Sequence, residues 1–222
     1  MSALYNIKNL INDKVVYEFS NNKEYLEQYS QLVDRYYKLD LDLDLAENNM
    51  RAGCDELLTD EYVYIVRENA RVVAGARVNF SERSDEAGLP MEEPGFSVLN
   101  YLPQDFNHPC YGEIGRLVVD PTYRGKDVLK KMIFELIEFM IRKRCGYLFV
   151  LAPVMNSVLY RRICKSLKIP IVIHREAQVP DKALYRRLDI KLLSCDLRAL
   201  SAVFGHAANS AATVDSESAG LG

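Results

Sequence analysis

Tryptophan is absent from the 222 residues, and no apolar run approaches the roughly 18 residues that a membrane-spanning helix needs. The amino terminus lacks a charged segment followed by an apolar stretch and a small-residue cleavage site, so no secretory signal is expected and the reading is a soluble, cytoplasmic protein. Five cysteines, at 54, 110, 145, 164 and 195, are odd in number and never spaced C-x-x-C, which argues against a disulfide framework and against a zinc site. They are expected as small buried hydrophobes, with no metal bound. Charge of one sign is also lacking. With 28 basic and 31 acidic residues the net charge is −3, which gives no global case for nucleic acid or an anionic membrane as partner.

What the chain does have is apolar surface, at 49% hydrophobic residues, and fourteen tyrosines that give large side chains a hydroxyl able to point into a pocket. That content suits one domain over 1–204. Residues 205–222, mostly Ala, Ser and Gly with no Lys or Arg, read as a disordered tail. No internal repeat is found.

The pattern predicts a strand over 15–19 and a helix over 23–37 capped by Asn21 or Asn22, whose Tyr25, Tyr29, Leu32 and Tyr36 form a core-facing stripe. Asp40, Asp42 and Asp44 alternate with leucines in a segment that reads as extended, as a helix start or as a loop, most simply as a solvated face. A short helix is expected over 45–58. Residues 62–67 and 71–80 make a hairpin of β-branched and aromatic residues, in which Gly75 marks a bulge or a close approach and Arg77 is a candidate to hold a substrate carboxylate. The long connection 81–110 reads as a lid, with Leu99, Tyr101, Leu102 and Phe106 as apolar cover and His108 exposed.

Residues 111–132, Y-G-E-I-G-R-L-V-V-D-P-T-Y-R-G-K-D-V-L-K-K-M, compress a strand, a turn and a helix. The apolar run 114–119 suits a buried strand, and Asp120 and Pro121 end it. Leu129, Met132, Ile133, Leu136 and Met140 then recur at helical spacing from a start near Gly125. The free N–H groups and positive dipole end of that helix suit a phosphate. Gly146 is read as the helix end. A strand over 147–152, a helix from Asn156 towards Leu167, strands over 169–174 and 188–193 and a helix over 196–204 complete the list, with 114–119 and 147–152 parallel.

The segment E-I-x-R-L-V-V-D-P-x-Y-R-G-K resembles the acyl-donor motif of the GNAT superfamily of N-acyltransferases. The resemblance covers about 62–173 and is strongest in this motif. It implies a mixed, mostly antiparallel twisted sheet with one splayed parallel pair and helices on both faces. It further implies that Leu117, Val118 and Val119 hold a pantetheine arm, and that the turn Arg124, Gly125, Lys126, Asp127, Val128 and Leu129 takes the phosphate. Asn156, or Pro153, with Leu159, Tyr160, Arg161 and Arg162 matches part of the second motif, whose Gly-Phe ending is replaced by Leu167, Lys168 and Ile169. By the same resemblance Glu113 is the base that deprotonates an amine, the alternative being a structural partner for Arg116, and Tyr160 protonates the departing thiolate; Arg116 joins Arg77 as a candidate to bind the acceptor.

Asp127 and Leu129 depart from the family turn, which has glycine and a small residue there. A carboxylate beside a diphosphate is repulsive, so the donor is expected to be an acyl carrier protein, whose arm hangs on one phosphodiester and whose acidic surface would meet Lys126, Lys130, Lys131, Arg142, Lys143 and Arg144. The chain is similar to the N-acyl amino acid synthases and, more remotely, to the acyl-homoserine lactone synthases. The expected activity is transfer of a fatty acyl group to an amino acid or other small amine, with acyl carrier protein or coenzyme A as co-substrate and no permanently bound cofactor. An acetyl-coenzyme A enzyme and a non-catalytic binding module are the alternatives. The sequence fixes no oligomeric state.

Overall fold

The computed structural model describes residues 14–43, 61–82, 88–92, 95–125, 127–179 and 188–200. Seven strands, β1 (Val15–Phe19), β2 (Glu61–Glu68), β3 (Arg71–Glu82), β4 (Cys110–Val119), β5 (Tyr147–Pro153), β6 (Val172–His174) and β7 (Ile190–Asp196), form one sheet in the order β1-β2-β3-β4-β5-β7-β6. All neighbours are antiparallel except β4 and β5. The expected class, a mostly antiparallel mixed sheet with one parallel pair, is therefore the observed one.

Period-two alternation sends β2 side chains to opposite faces, and each face has its own helix. Val63 and Ile65 pack with Leu26, Tyr29 and Val33 of α1 (Lys23–Leu41), whereas Tyr64 and Val66 join the core beneath α2 (Val128–Arg142). Met132, Leu136 and Met140 of α2 are fully buried, each side chain contributing about 1.5–3 kcal/mol by leaving water. The third helix, α3 (Val154–Ser166), follows β5 directly and buries only Ser157 and Cys164.

Helix α1 is capped by Asn22, whose side chain accepts from the Glu24 N–H at 2.9 Å, and it runs one turn beyond the expected end. Asp40 thus lies in a helical turn and Asp42 adopts the left-handed cap at φ 54°. Asp44, the 45–58 helix, Cys54, Lys126, residues 201–204 of the 196–204 helix and the 205–222 tail fall outside the described residues.

Two expectations are corrected. Gly146 does not end α2: the left-handed residue is Arg144 at φ 57°, and Gly146 is small because His108 lies where a side chain would stand, 2.7–2.9 Å from an added Cβ. The described part of the 81–110 connection is core rather than lid. Leu89, Met91, Phe96, Val98 and Phe106 are buried against Tyr111, Phe149 and Leu192. His108 is half-buried, accepting from the Cys110 N–H at 3.3 Å. Cys145, Cys164 and Cys195 are buried and Cys110 is half-buried, none of the four in a disulfide among the described residues.

Candidate active site

The site begins where β4 and β5 stop pairing. Tyr111, Gly112 and Glu113 lie opposite Tyr147, Leu148 and Phe149, and no pairing between the two strands follows, although β4 continues to Val119 and β5 to Pro153. The cause is a bulge. In the β3–β4 ladder Gly75 faces Val118 and Arg77 faces Gly115, so Arg116 and Leu117 together oppose Ala76, and Arg116 takes a left-handed φ of 51°. An extra residue on one strand bends it, here away from β5.

Helix α1 fixes the bulge. The Tyr29 hydroxyl donates to the Arg116 carbonyl at 2.8 Å, and the tyrosine reaches it only because Gly75 has no side chain: a Cβ there would stand 2.5 Å from the Tyr29 ring. Gly75 therefore marks both a bulge and a close approach.

Between the parted strands opens a cleft of about 800 Å³. Leu117, Val118 and Val119 form one wall and Val150, Leu151 and Ala152 the other. Its inner end is apolar, reaching Ile133, Leu148, Ile163, Cys164, Ile169 and Cys195 between α2 and α3. Burial pushes the two thiols up, Cys164 to about 11 and Cys195 to about 12, so both stay neutral at ordinary pH.

The mouth is the turn before α2. Asp120 anchors it: although burial alone would raise its pKa, hydrogen bonds from the Thr122 N–H at 2.9 Å and hydroxyl at 2.6 Å, with Arg71 at 2.7 Å, hold it below the usual carboxylate value. Gly125 has φ 81° with open space around it. Asp127 has φ 58° and makes no side-chain cap bond, so it carries a left-handed conformation suited to glycine without the capping that usually rewards an aspartate. Arg124 is drawn to α1, ion-paired with Asp40, its guanidinium 5.6 Å from the Tyr36 ring, while its Nε donates to the Val119 carbonyl at 3.1 Å.

Arg124, Gly125, Asp127 and Leu129 line the cleft together with Asn156 and Tyr160 from α3, and Arg116 lines its α1 side. Val128 instead packs into the core beneath α2. Arg77 pairs with Glu61 of its own chain at 3.0 Å and stands outside the cleft. Glu113 lies just behind the wall: its Oε1 would be 3.2 Å from a Cβ on Gly115, a cleft residue. The buried carboxylate accepts from the Met91 N–H at 2.9 Å and from Asn79 Nδ2 at 3.4 Å.

Desolvation pushes the Tyr160 phenol up to about 12. Arg116 directs its guanidinium to 5.9 Å from the Tyr37 ring, and its buried Nη1 has no hydrogen-bond partner among the described residues. Tyr36, Tyr37 and Asp40 of α1 were not singled out from the sequence as site residues. The stripe that placed Tyr36 reads equally as core, and nothing local reports that Asp40 meets Arg124, 84 residues away.

The fold has counterparts in known proteins. The profile of the acetyltransferase (GNAT) family matches residues 22–160. Among solved structures, FeeM, an N-acyl amino acid synthase from uncultured soil microbes, superposes with a TM-score of 0.58 at 9% identity, covering 83% of this chain and 91% of that one. A GNAT-family acetyltransferase from Staphylococcus aureus Mu50 gives 0.55 at 11% identity over 82% and 99%. BjaI, a CoA-dependent acyl-homoserine lactone synthase, gives 0.53 at 15% over 82% and 81%. No curated protein sequence matches the chain. At such identities the likeness is one of fold.

Proposed function

Because the chain belongs to the acetyltransferase (GNAT) family, and is thus an acyltransferase, we propose that it moves a fatty acyl group from the pantetheine thioester of an acyl carrier protein to the amine of an amino acid or similar small molecule. The observation that carries this reading is the parting of β4 and β5 after three residue pairs, over a cleft whose inner end is apolar. A narrow arm fits between free strand edges. An acyl chain beyond it gains about 0.8 kcal/mol for each methylene taken out of water.

The chemistry follows from where the groups stand. Glu113, at the last paired position, takes the amine proton directly or through one water, and the freed amine attacks the thioester carbonyl. A C–N bond forms, the C–S bond breaks, and the proton that the nitrogen still has to lose passes through solvent to the departing thiolate, which leaves as the thiol. A thiol near 8.5 is a stronger acid than the Tyr160 phenol at about 12, so complete proton transfer from Tyr160 is uphill. Tyr160 therefore acts as a neutral hydrogen-bond donor to the leaving sulfur, which modifies the acid role implied by resemblance. Arg116 is placed to take the acceptor's carboxylate. Asp127, on the turn where a diphosphate would sit, favours the singly charged carrier arm.

The alternative is an acetyl-coenzyme A enzyme, favoured by the open left-handed Gly125 turn before α2. One assay separates the two. Purified protein is given hexadecanoyl-carrier protein, hexadecanoyl-coenzyme A or acetyl-coenzyme A with a mixture of amino acids, and products are read by mass spectrometry. The proposal predicts N-hexadecanoyl amino acids, fastest from the carrier. Acetylated products alone would establish the alternative, and no product from any donor would refute both.

A further inference from the structure

Basic charge in this chain is unevenly placed. The 37 residues 139–175 contain no Asp or Glu and eight Lys or Arg, although the whole chain is net negative. Half of these cations, Arg161, Arg162, Lys165 and Lys168, lie on α3 or just past its end, are exposed, and form no ion pair among the described residues. Apolar side chains share that surface. Met155, Val158 and Leu159 are 81%, 51% and 41% exposed, the largest such cluster among the described residues.

Their spacing makes one surface of them. Met155, Val158, Leu159 and Arg162 fall at i, i+3, i+4 and i+7, a single stripe, with Arg161 and Lys165 along its edge. The apolar end is at the cleft, since Met155 and Leu159 also line it, and the cationic end begins about 10 Å further along the helix. A solvated face needs no exposed methionine, valine and leucine in register, and a core face would not leave them out. A partner with an acidic rim and an apolar centre satisfies both halves.

Of the other basic groups, Lys130 lines the cleft itself rather than the outer surface of α3. Lys131 is folded over the Tyr17 ring at 3.8 Å and paired with Glu135 at 3.7 Å. Arg142, Lys143 and Arg144 stand at the far end of α2, about 21 Å from the cleft turn, and Arg142 pairs with Glu138 while Lys143 donates to Tyr62.

We infer that the outward stripe of α3 is the docking surface for a small acidic protein that carries the acyl thioester, seated so that its prosthetic arm enters between β4 and β5. This rests on the donor reading above and adds the place where the donor binds. The contact is small and charge-guided, so it weakens as salt rises.

The test is the charge-reversed triple variant Arg161→Glu, Arg162→Glu, Lys165→Glu, all three surface positions outside the cleft. Binding of fluorescent holo-carrier protein is followed by anisotropy, and turnover is compared for hexadecanoyl-carrier protein, hexadecanoyl-pantetheine and hexadecanoyl-coenzyme A. The expected result is a loss of carrier affinity and a rise in carrier KM of about tenfold or more, with the pantetheine thioester turned over as before. Equal carrier binding by the variant and the unaltered protein would overturn the inference. So would an equal loss with coenzyme A, which would assign the cations to the nucleotide's phosphates. Carrier binding that depends on the three cations but leads to no acyl transfer would support the docking surface and refute the proposed function.

Discussion

Replacing Glu113 with glutamine is expected to slow acyl transfer by about 10²–10⁴-fold, the usual loss on removing a positioned general base, while binding of holo-carrier protein stays unchanged. The substitution preserves shape, and the amide oxygen can still accept from the Met91 N–H that holds the carboxylate at 2.9 Å. The ability to take a proton is lost, and with it the long 3.4 Å contact from Asn79 Nδ2. Single-turnover kinetics with preloaded carrier measures the chemical step apart from binding. A rate within threefold of the unaltered protein would make Glu113 a brace for the 88–92 segment and place the base elsewhere.

Arg116→Met is expected to raise the KM for an amino-acid acceptor by about 10²–10⁴-fold, because a buried charge pair that loses one partner costs about 3–5 kcal/mol. The observation behind this is that Arg116 is a residue of the cleft lining and its buried Nη1 has no hydrogen-bond partner among the described residues. A buried guanidinium nitrogen in that state is costly unless a ligand completes it. Methionine keeps the apolar stem against Tyr37. Steady-state kinetics with an amino acid and with the matching primary amine that lacks a carboxylate separates the two roles of the residue: the amine's KM should not move. If both acceptors weaken equally, Arg116 supports the bulge rather than the substrate.

The strand, turn and helix around the donor motif were legible because each rests on local chemistry: a β-branched run, an Asp-Pro stop, then apolar residues at helical spacing. The splay between β4 and β5 could be expected only through resemblance. Its cause was not legible, since the left-handed Arg116 is imposed by Tyr29, 87 residues away, across the gap that Gly75 leaves. Asp40 shows the same limit. Its partner Arg124 is set by the closure of α1 over the sheet, and no spacing within 38–44 reports it. The 81–110 connection misled for a different reason. Its Ser, Glu, Gly and Pro content fits a surface loop, but Leu89, Met91, Phe96, Val98 and Phe106 are spaced irregularly, and only the folded chain gathers them beneath Phe149.

Basic residues were misplaced in reach rather than in kind. Arg142, Lys143 and Arg144 form an obvious cluster in the sequence, yet a straight helix carries them away from the turn they were meant to serve. The α3 cations are gathered in the second half of that helix, and they point to a docking surface only when exposure shows Met155, Val158 and Leu159 ahead of them.

The central claim is that the gap between β4 and β5 receives a pantetheine arm, and the most direct measurement is a crystal structure of the protein with a thioether analogue of hexadecanoyl-pantetheine that cannot be cleaved. The arm should run between residues 115–119 and 150–153, with the sulfur beside Tyr160 and the chain among Ile133, Cys164 and Ile169. Density for the analogue elsewhere, with the gap closed or filled by the protein's own side chains, would contradict the account.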